Sequence, residues 1–269
     1  MLDYTAIVLD KTVKSGDSIS IALLSDLHVD SAKFNEQGLA AALDGVDYMM
    51  IFGDLADWIF HSDPRYLPEN DAAPSGDAFV TKRIKRVASV LRSLPPKTIF
   101  ISYGNHETAV VKHFGVDPIE EIAALLGCHS GKFAGTVDVI AQTVGGRMAR
   151  CRIGYHHGRW GGHSDKGYSG AKRFFDAFEG YDVLAYGHNH ASRCDVVSKV
   201  SLSGSRYVPR NIIMVNCSSQ VQAISGGSVA SYESVHGHAL SPNVVNVLHL
   251  TAKCLSGNWY FRKSLEIRV

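Results

Sequence analysis

Asp26 and His28 stand two residues apart, just past the apolar run Leu23-Leu24. A carboxylate with an imidazole is a donor pair for a divalent transition metal. On an extended backbone, side chains two apart point the same way, so both are expected to face one ion. Four more apolar runs end on similar residues. Tyr48–Phe52 ends on Gly53-Asp54, Lys97–Ser102 on Gly104-Asn105-His106-Glu107, Arg150–Tyr155 on His156-His157-Gly158, and Asp182–Tyr186 on Gly187-His188-Asn189-His190. Taken singly, each has an ordinary explanation: Gly-Asp suits a turn, and a His-x-His pair suits a surface. Taken together, five strand ends carrying Asp, Asn and His predict one metal-rich rim, fed from distant parts of the chain.

The elements that must position these residues are legible from periodicity. Residues 4–9 and 19–24 read as strands joined by a polar turn around Ser15-Gly16-Asp17. Phe34 to Leu43 predicts a short helix and Tyr48–Phe52 a strand buried on both faces, which makes a β-α-β unit. Residues 55–76, with Pro64, Pro68 and Pro74, predict a long loop of the functional or mobile kind. Asp77 to Leu94 predicts a helix with the stripe Val80, Ile84, Val87, Leu91 and Leu94, capped by Ser75 or Asp77 and stopped by Pro95-Pro96. Its Lys82, Arg83, Lys85 and Arg86 are expected to form a solvated face rather than a nucleic-acid patch. Lys97–Ser102 reads as a strand and Pro118 to Leu126 as a helix.

Beyond them, Thr136–Val144 and Arg147–Tyr155 flank Gly145-Gly146, a hairpin signal. Tyr168–Phe178 predicts a helix, and 182–186, 193–200, 206–216, 244–251 and 258–268 predict strands. Helices and strands alternate early and strands dominate late, the pattern of an α/β chain with two packed sheets and helices outside.

Composition narrows the function classes. The 269 residues, 45% hydrophobic, suit a single domain over 1–269. Lys plus Arg number 27 against 26 for Asp plus Glu, a net charge of +1, which gives no support to bulk attraction for nucleic acid or anionic membranes. Five cysteines, an odd number with no Cys-x-x-Cys pair, predict a reduced, cytoplasmic protein. The N-terminus has no basic region leading an apolar one, so no signal peptide is expected, and no apolar run approaches the ~20 residues that span a bilayer. Of the thirteen histidines, six lie in the motifs above.

The ordered set Asp26-x-His28, Gly53-Asp54, Gly104-Asn105-His106-Glu107, His157-Gly158 and Gly187-His188-x-His190 resembles the motif series of the calcineurin-like metallophosphoesterase superfamily. The match runs from about Asp26 to His190. The Gly-rich continuation after His157 looks most like bacterial and bacteriophage-associated members. The resemblance implies a four-layer α-β-β-α sandwich of two mixed sheets, with two divalent metals at one edge: Mn²⁺ first, with Fe²⁺, Zn²⁺ or Ni²⁺ as alternatives. It implies Asp26, His28, Asp54 and His190 around one metal, and Asp54, Asn105, His157 and His188 around the other. His157 is preferred to its neighbour His156 because the family pattern there is commonly His-Gly. His106 is implied to lie beside the scissile phosphate as proton donor to the leaving oxygen. Asp57 and Glu107 look like carboxylates that orient histidines. His156, Arg159 and His163 are further candidates near the substrate.

A phosphate ester resists attack because its oxygens are negative and water is a poor nucleophile at neutral pH. Two divalent ions roughly 3.5–4 Å apart meet both obstacles, and a bridging anion, here Asp54, holds them close. The expectation is a dinuclear-metal-dependent phosphoesterase cleaving a phosphodiester, on a nucleotide or DNA substrate. Phosphoprotein phosphatases carry an Asp-Arg-Gly after the Gly-Asp motif; here the run is Gly53-Asp54-Leu55-Ala56-Asp57-Trp58. The missing arginine favours diesters, with a phosphomonoesterase as the alternative and a catalytically silent scaffold the weakest reading. Loops 55–76 and 223–243 are expected to shape specificity.

Overall fold

The computed structural model describes residues 2–31, 33–59, 79–158, 167–203, 206–221 and 244–269. The elements are β1 (Asp3–Val8), β2 (Ser18–Leu24), α1 (Glu36–Ala42), β3 (Tyr48–Phe52), α2 (Phe79–Ser93), β4 (Lys97–Ser102), α3 (Asn105–Phe114), α4 (Pro118–Leu126) and β5 (His129–Gly131). They continue with β6 (Ala134–Gln142), β7 (Met148–His156), α5 (Tyr168–Asp176), β8 (Val183–Tyr186), β9 (Arg193–Ser203), β10 (Arg206–Asn216), β11 (Val245–Leu255) and β12 (Asn258–Arg268). Two mixed six-stranded sheets result, in the orders β1-β6-β7-β8-β10-β9 and β12-β11-β2-β3-β4-β5.

Strand alternation sorts the chain into layers. Ile21 and Leu23 of β2, with Met50 and Phe52 of β3, point between the sheets and meet Val139, Ile153, Val183 and Val215. Their neighbours Ala22, Leu24, Met49 and Ile51 point outward, against Leu39 of α1, Ile84, Val87 and Leu91 of α2, and Ile119 and Ile122 of α4. On the far side, Ala171 and Phe175 of α5 cover Leu184, Tyr186, Ile212 and Met214. The layering is therefore helix, sheet, sheet, helix, as the motif resemblance implied.

Strands β2, β3 and β4 are parallel neighbours, and β7 and β8 are parallel in the other sheet. Their carboxyl ends bring the Asp, Asn and His motifs to one rim.

One expectation needs correction, and one helix was not expected. The four basic residues of α2 do not share a solvated face. Lys82, Lys85 and Arg86 are exposed, but Arg83 is buried and pairs with Asp30, Nε to Oδ2 at 2.7 Å. Helix α3 was not legible, because only Ala109, Val110, Val111 and Phe114 punctuate its ten residues and no regular stripe forms. Its start is fixed by Glu107, whose carboxylate accepts the Gly104 N–H at 2.8 Å, a side-chain cap on an otherwise orphaned donor. The proposed caps Ser75 and Asp77, and most of loops 55–76 and 223–243, lie outside the described residues.

Candidate metal centre

The rim is built on an unusual backbone. Among the described residues, seven non-glycines have positive φ, and five of them are Asp26 (54°), His28 (49°), Asp54 (51°), His188 (77°) and His190 (51°). Asp, Asn and His tolerate this left-handed region better than other non-glycine residues. The extended backbone assumed for Asp26-x-His28 is therefore wrong. The two side chains converge because both residues turn left-handed past the end of β2. The turns are held by Asp26 N–H donating to Gly53 O at 3.0 Å and His28 N–H to Asp54 O at 3.2 Å.

Close approach also requires glycine. A Cβ on Gly104 would fall 2.5 Å from the Asp54 backbone nitrogen, and one on Gly187 would fall 2.6 Å from Asp26 Oδ2. These distances are well inside van der Waals contact, so the Gly in Gly-Asn-His and in Gly-His-x-His makes room for the carboxylates.

Among the described residues, three groups of donors meet at the rim, one of them His28, Asp57 and His106; the other two hold the residues expected around the metals. Asp26, His28 and His190 offer atoms all within 4.8 Å of one another, and so do Asp54, His157 and His188. In the first group, His28 Nε2 lies 3.2 Å from His190 Nε2, and His190 Nε2 lies 3.6 Å from Asp26 Oδ1. In the second, Asp54 Oδ2 lies 3.0 Å from His157 Nε2. Asn105 joins it with Oδ1 at 3.1 Å from His157 Nε2 and 2.8 Å from His188 Nδ1. All seven residues expected around the two metals are thus brought together. Asp26 also accepts the His188 backbone N–H at 2.9 Å, which ties β2 of one sheet to β8 of the other.

These residues fit divalent cations on their own geometry. His157 Nδ1 lies 2.8 Å from the Phe52 carbonyl oxygen, which can only accept, so Nδ1 carries the hydrogen. His28 Nδ1 lies 2.7 Å from Asp57 Oδ1 and is oriented by a carboxylate in the same way. In a neutral His157 ring the Nε2 lone pair is then directed at two acceptors, Asp54 Oδ2 and Asn105 Oδ1, an arrangement that a cation resolves. The mixed nitrogen and oxygen set suits Mn²⁺, Fe²⁺ or Zn²⁺ better than Mg²⁺.

Without a cation, protons fill that role. Burial disfavours charge on His28, yet Asp57, then Asp54 and Asp26, push its pKa up to about 10. His157 is likewise pushed up to about 9, burial being outweighed by Asp54. Burial alone would raise Asp54, but the charge of His157 and then His106 holds it well below the usual carboxylate range. A histidine whose folded pKa exceeds its unfolded value near 6.5 contributes stability that is complete below that value and lost as pH rises through the folded one. The chelated protein is therefore expected to lose thermal stability between about pH 6.5 and pH 10, and the Mn²⁺-loaded protein to show a flatter profile. Calorimetric scans across that range, with and without chelator, check this; parallel profiles would contradict it.

The remaining candidates separate clearly. His106 N–H donates to Asp54 Oδ1 at 3.0 Å, its Nδ1 donates to the Asp57 carbonyl at 2.6 Å, and its Nε2 lies 3.9 Å from Asp54 Oδ2. The Asp57 carboxylate faces His28 Nδ1 at 2.7 Å. Glu107 does not orient a histidine: it is buried and accepts from Asp54 N–H at 3.0 Å, Leu55 N–H at 2.8 Å and Trp58 Nε1–H at 3.0 Å. It fixes the backbone of the turn that carries Asp54. His156 stands apart from the donor cluster. Its ring packs edge-on against Phe133 and Phe174, with centroids 5.2 and 4.6 Å away, and its Nδ1 accepts the Gly158 N–H at 2.8 Å. His157→Ala is accordingly expected to weaken metal binding at the second position roughly ten-fold or more, and His156→Ala to leave metal content near normal. Calorimetric titration with Mn²⁺ distinguishes them, and the reverse order would contradict this choice. Arg159 and His163 lie outside the described residues.

Sequence reasoning missed two contributors. The stretch after β10 supplies Ser219 Oγ and Gln220 N–H, which donate to the Asp26 carbonyl at 3.0 and 3.2 Å. No donor motif marks it in the sequence. The other is Asp30 with Arg83; Asp30 accepts from Asp57 N–H at 2.6 Å and Trp58 N–H at 3.2 Å. The alternating Asp26-x-His28-x-Asp30 was the available signal.

No family model matches the chain, and no curated protein does. Solved structures are similar to it at low identity. The calcineurin-like phosphoesterase YfkN from Bacillus subtilis is 12% identical with a TM-score of 0.44, covering 93% of this chain and 90% of that one. An archaeal phosphodiesterase is 11% identical with a TM-score of 0.41, covering 92% and 100%. Vacuolar Protein Sorting 29 from Cryptosporidium parvum is 14% identical with a TM-score of 0.40, covering 93% and 98%. The structural neighbours of this chain thus include a calcineurin-like phosphoesterase, a likeness at low score.

Proposed function

We propose that this chain is a phosphoesterase working with two divalent metal ions, Mn²⁺ first, and that its substrate is a phosphodiester of a nucleotide or of DNA. The observation that carries the reading is the convergence of Asp26, His28 and His190 with Asp54, His157, His188 and Asn105, beside His106. When bound, paired divalent ions supply a nucleophile at neutral pH and neutralise charge on phosphoryl oxygens.

The protein's own part is positional. Asp54 carries the negative charge shared by the two donor groups, and neutral Asn105 limits the negative charge facing the phosphate. The Asp57 carbonyl holds His106 by Nδ1, so Nε2 is the atom that delivers a proton to the leaving oxygen. Imidazole suits that transfer near neutrality. The N-terminus of α3 sits at this point, and its His106 N–H already serves the Asp54 carboxylate. Absence of an arginine after Gly53-Asp54 supports a diester over a monoester.

A single domain over 1–269 and a cytoplasmic setting are part of the same reading and rest on the sequence. Among the described residues, no helix is long and apolar enough to cross a membrane.

The test is a metal-supplemented screen of bis-p-nitrophenyl phosphate, p-nitrophenyl phosphate, cyclic nucleotides, and single- and double-stranded DNA. Turnover of diesters above monoesters is expected. Preference for the monoester would move the reading to a phosphatase, and no turnover with any metal would remove the enzyme reading.

A further inference from the structure

Behind the rim lies an ion pair that the seven metal-site residues do not use. Arg83 and Asp30 have side chains each 1% exposed and pair at 2.7 Å. Arg83 also donates from a terminal nitrogen to the Ile59 carbonyl at 2.9 Å, and its guanidinium lies 3.7 Å above the Phe79 ring. Removing two charges from water costs several kcal/mol each unless the geometry is good, and such pairs are weak stabilisers compared with apolar packing. A pair kept at that cost invites the question of what it positions.

The contacts run in one direction. Arg83 holds Asp30. Asp30 accepts the backbone N–H groups of Asp57 and Trp58 at 2.6 and 3.2 Å. Asp57 in turn holds two site histidines by different atoms: its carboxylate meets His28 Nδ1 at 2.7 Å, and its carbonyl accepts His106 Nδ1–H at 2.6 Å. We propose that Arg83 and Asp30 are positioning residues that fix the turn Asp57-Trp58, and through it set where His106 Nε2 meets the leaving oxygen. Arg83 suits this task because its planar fork serves a carboxylate and a carbonyl together, whereas a lysine ammonium presents a point charge. A displacement of about 1 Å at a reacting group can cost ~10²-fold in rate.

The activity part of the test rests on the phosphoesterase reading; the second part does not. Measured at saturating Mn²⁺, because the metal-site residue His28 leans on the same Asp57, Arg83→Met is expected to lower kcat on an alkyl phosphodiester by about 10- to 100-fold, with KM near that of the wild type. The loss should be smaller on an aryl diester, whose leaving group departs without a proton. Arg83→Lys should recover part of the loss. In the metal-free protein, amide hydrogen exchange at Asp57 and Trp58 should speed up at least about ten-fold relative to Ile51 within β3. If Arg83→Met alone does not fold, the double variant Asp30→Asn with Arg83→Met leaves no charge buried alone and should show the same kinetic and exchange changes. Equal loss on both esters in step with lowered stability, or unchanged exchange at Asp57 and Trp58, would overturn the proposal. Absence of turnover in the wild type would sink the phosphoesterase reading, while the exchange measurement would still decide the clamp.

Discussion

Replacing Asp54 with asparagine is expected to bring turnover of every phosphate ester to background, and to lower the metal content from two ions per chain to one or none. The carboxylate sits between the donor groups, with Oδ2 3.0 Å from His157 Nε2 and Oδ1 accepting the His106 N–H at 3.0 Å. It is buried, so water cannot replace the charge that the amide lacks. The substitution is also clean. Asparagine tolerates the left-handed φ of 51° at this position, and it keeps an oxygen for His106. Loss of function would therefore report loss of charge rather than of fold. Elemental analysis after reconstitution with Mn²⁺, alongside a thermal scan, measures both. Two ions per chain in the variant, with turnover intact, would refute the bridging role.

His106→Asn should behave differently. It is expected to keep both metals and lower kcat by about 10² to 10⁴, the usual worth of a general acid. The ring nitrogen not bonded to the Asp57 carbonyl is Nε2, so one atom carries the whole role. Esters of a sugar hydroxyl should suffer more than p-nitrophenyl esters, because p-nitrophenolate leaves without a proton. Single-turnover rates on both substrate types, with metal content measured in parallel, decide the matter. A variant that loses its metals, or that turns over an alkyl diester at the wild-type rate, would assign His106 another role.

The site was legible where donors follow apolar runs, since β2, β3, β4, β7 and β8 each announce themselves by buried residues. Choosing His157 over His156 agrees with the rim geometry, though the sequence argument for it was a motif resemblance. Local backbone was beyond reach: nothing in Asp26-Leu27-His28 shows that both ends turn left-handed. Nor does the sequence distinguish Arg83 from Lys82, Lys85 and Arg86. On a helix Arg83 neighbours Ile84 and Val87 on the packed side, yet a charge there is readable only once Asp30 is known to wait beneath it. Glu107 was misread for a related reason. Its partners are backbone N–H groups of Asp54, Leu55 and Gly104, and backbone donors carry no sequence signature. Helix α3 is short and irregular, and its start depends on that same glutamate.

The left-handed turns at five of the seven donor positions also restrict how such a centre can change over generations. A position there must offer a donor atom and accept positive φ. Asp, Asn and His meet both demands; Glu, Cys and Met offer donors but lack the short polar side chains that ease this conformation, and each would carry about 1–2 kcal/mol of backbone strain. Substitution at Asp26, His28, Asp54, His188 and His190 is thereby biased toward Asp, Asn and His, although Trp58 and Ser256 show that other residues can meet the cost. Drift toward a thiolate-rich site for softer metals would carry that backbone strain at each such position, offset only by the metal–ligand bonds gained. Variation in metal preference is least constrained by the backbone at Asn105 and His157, the two donors that do not have positive φ.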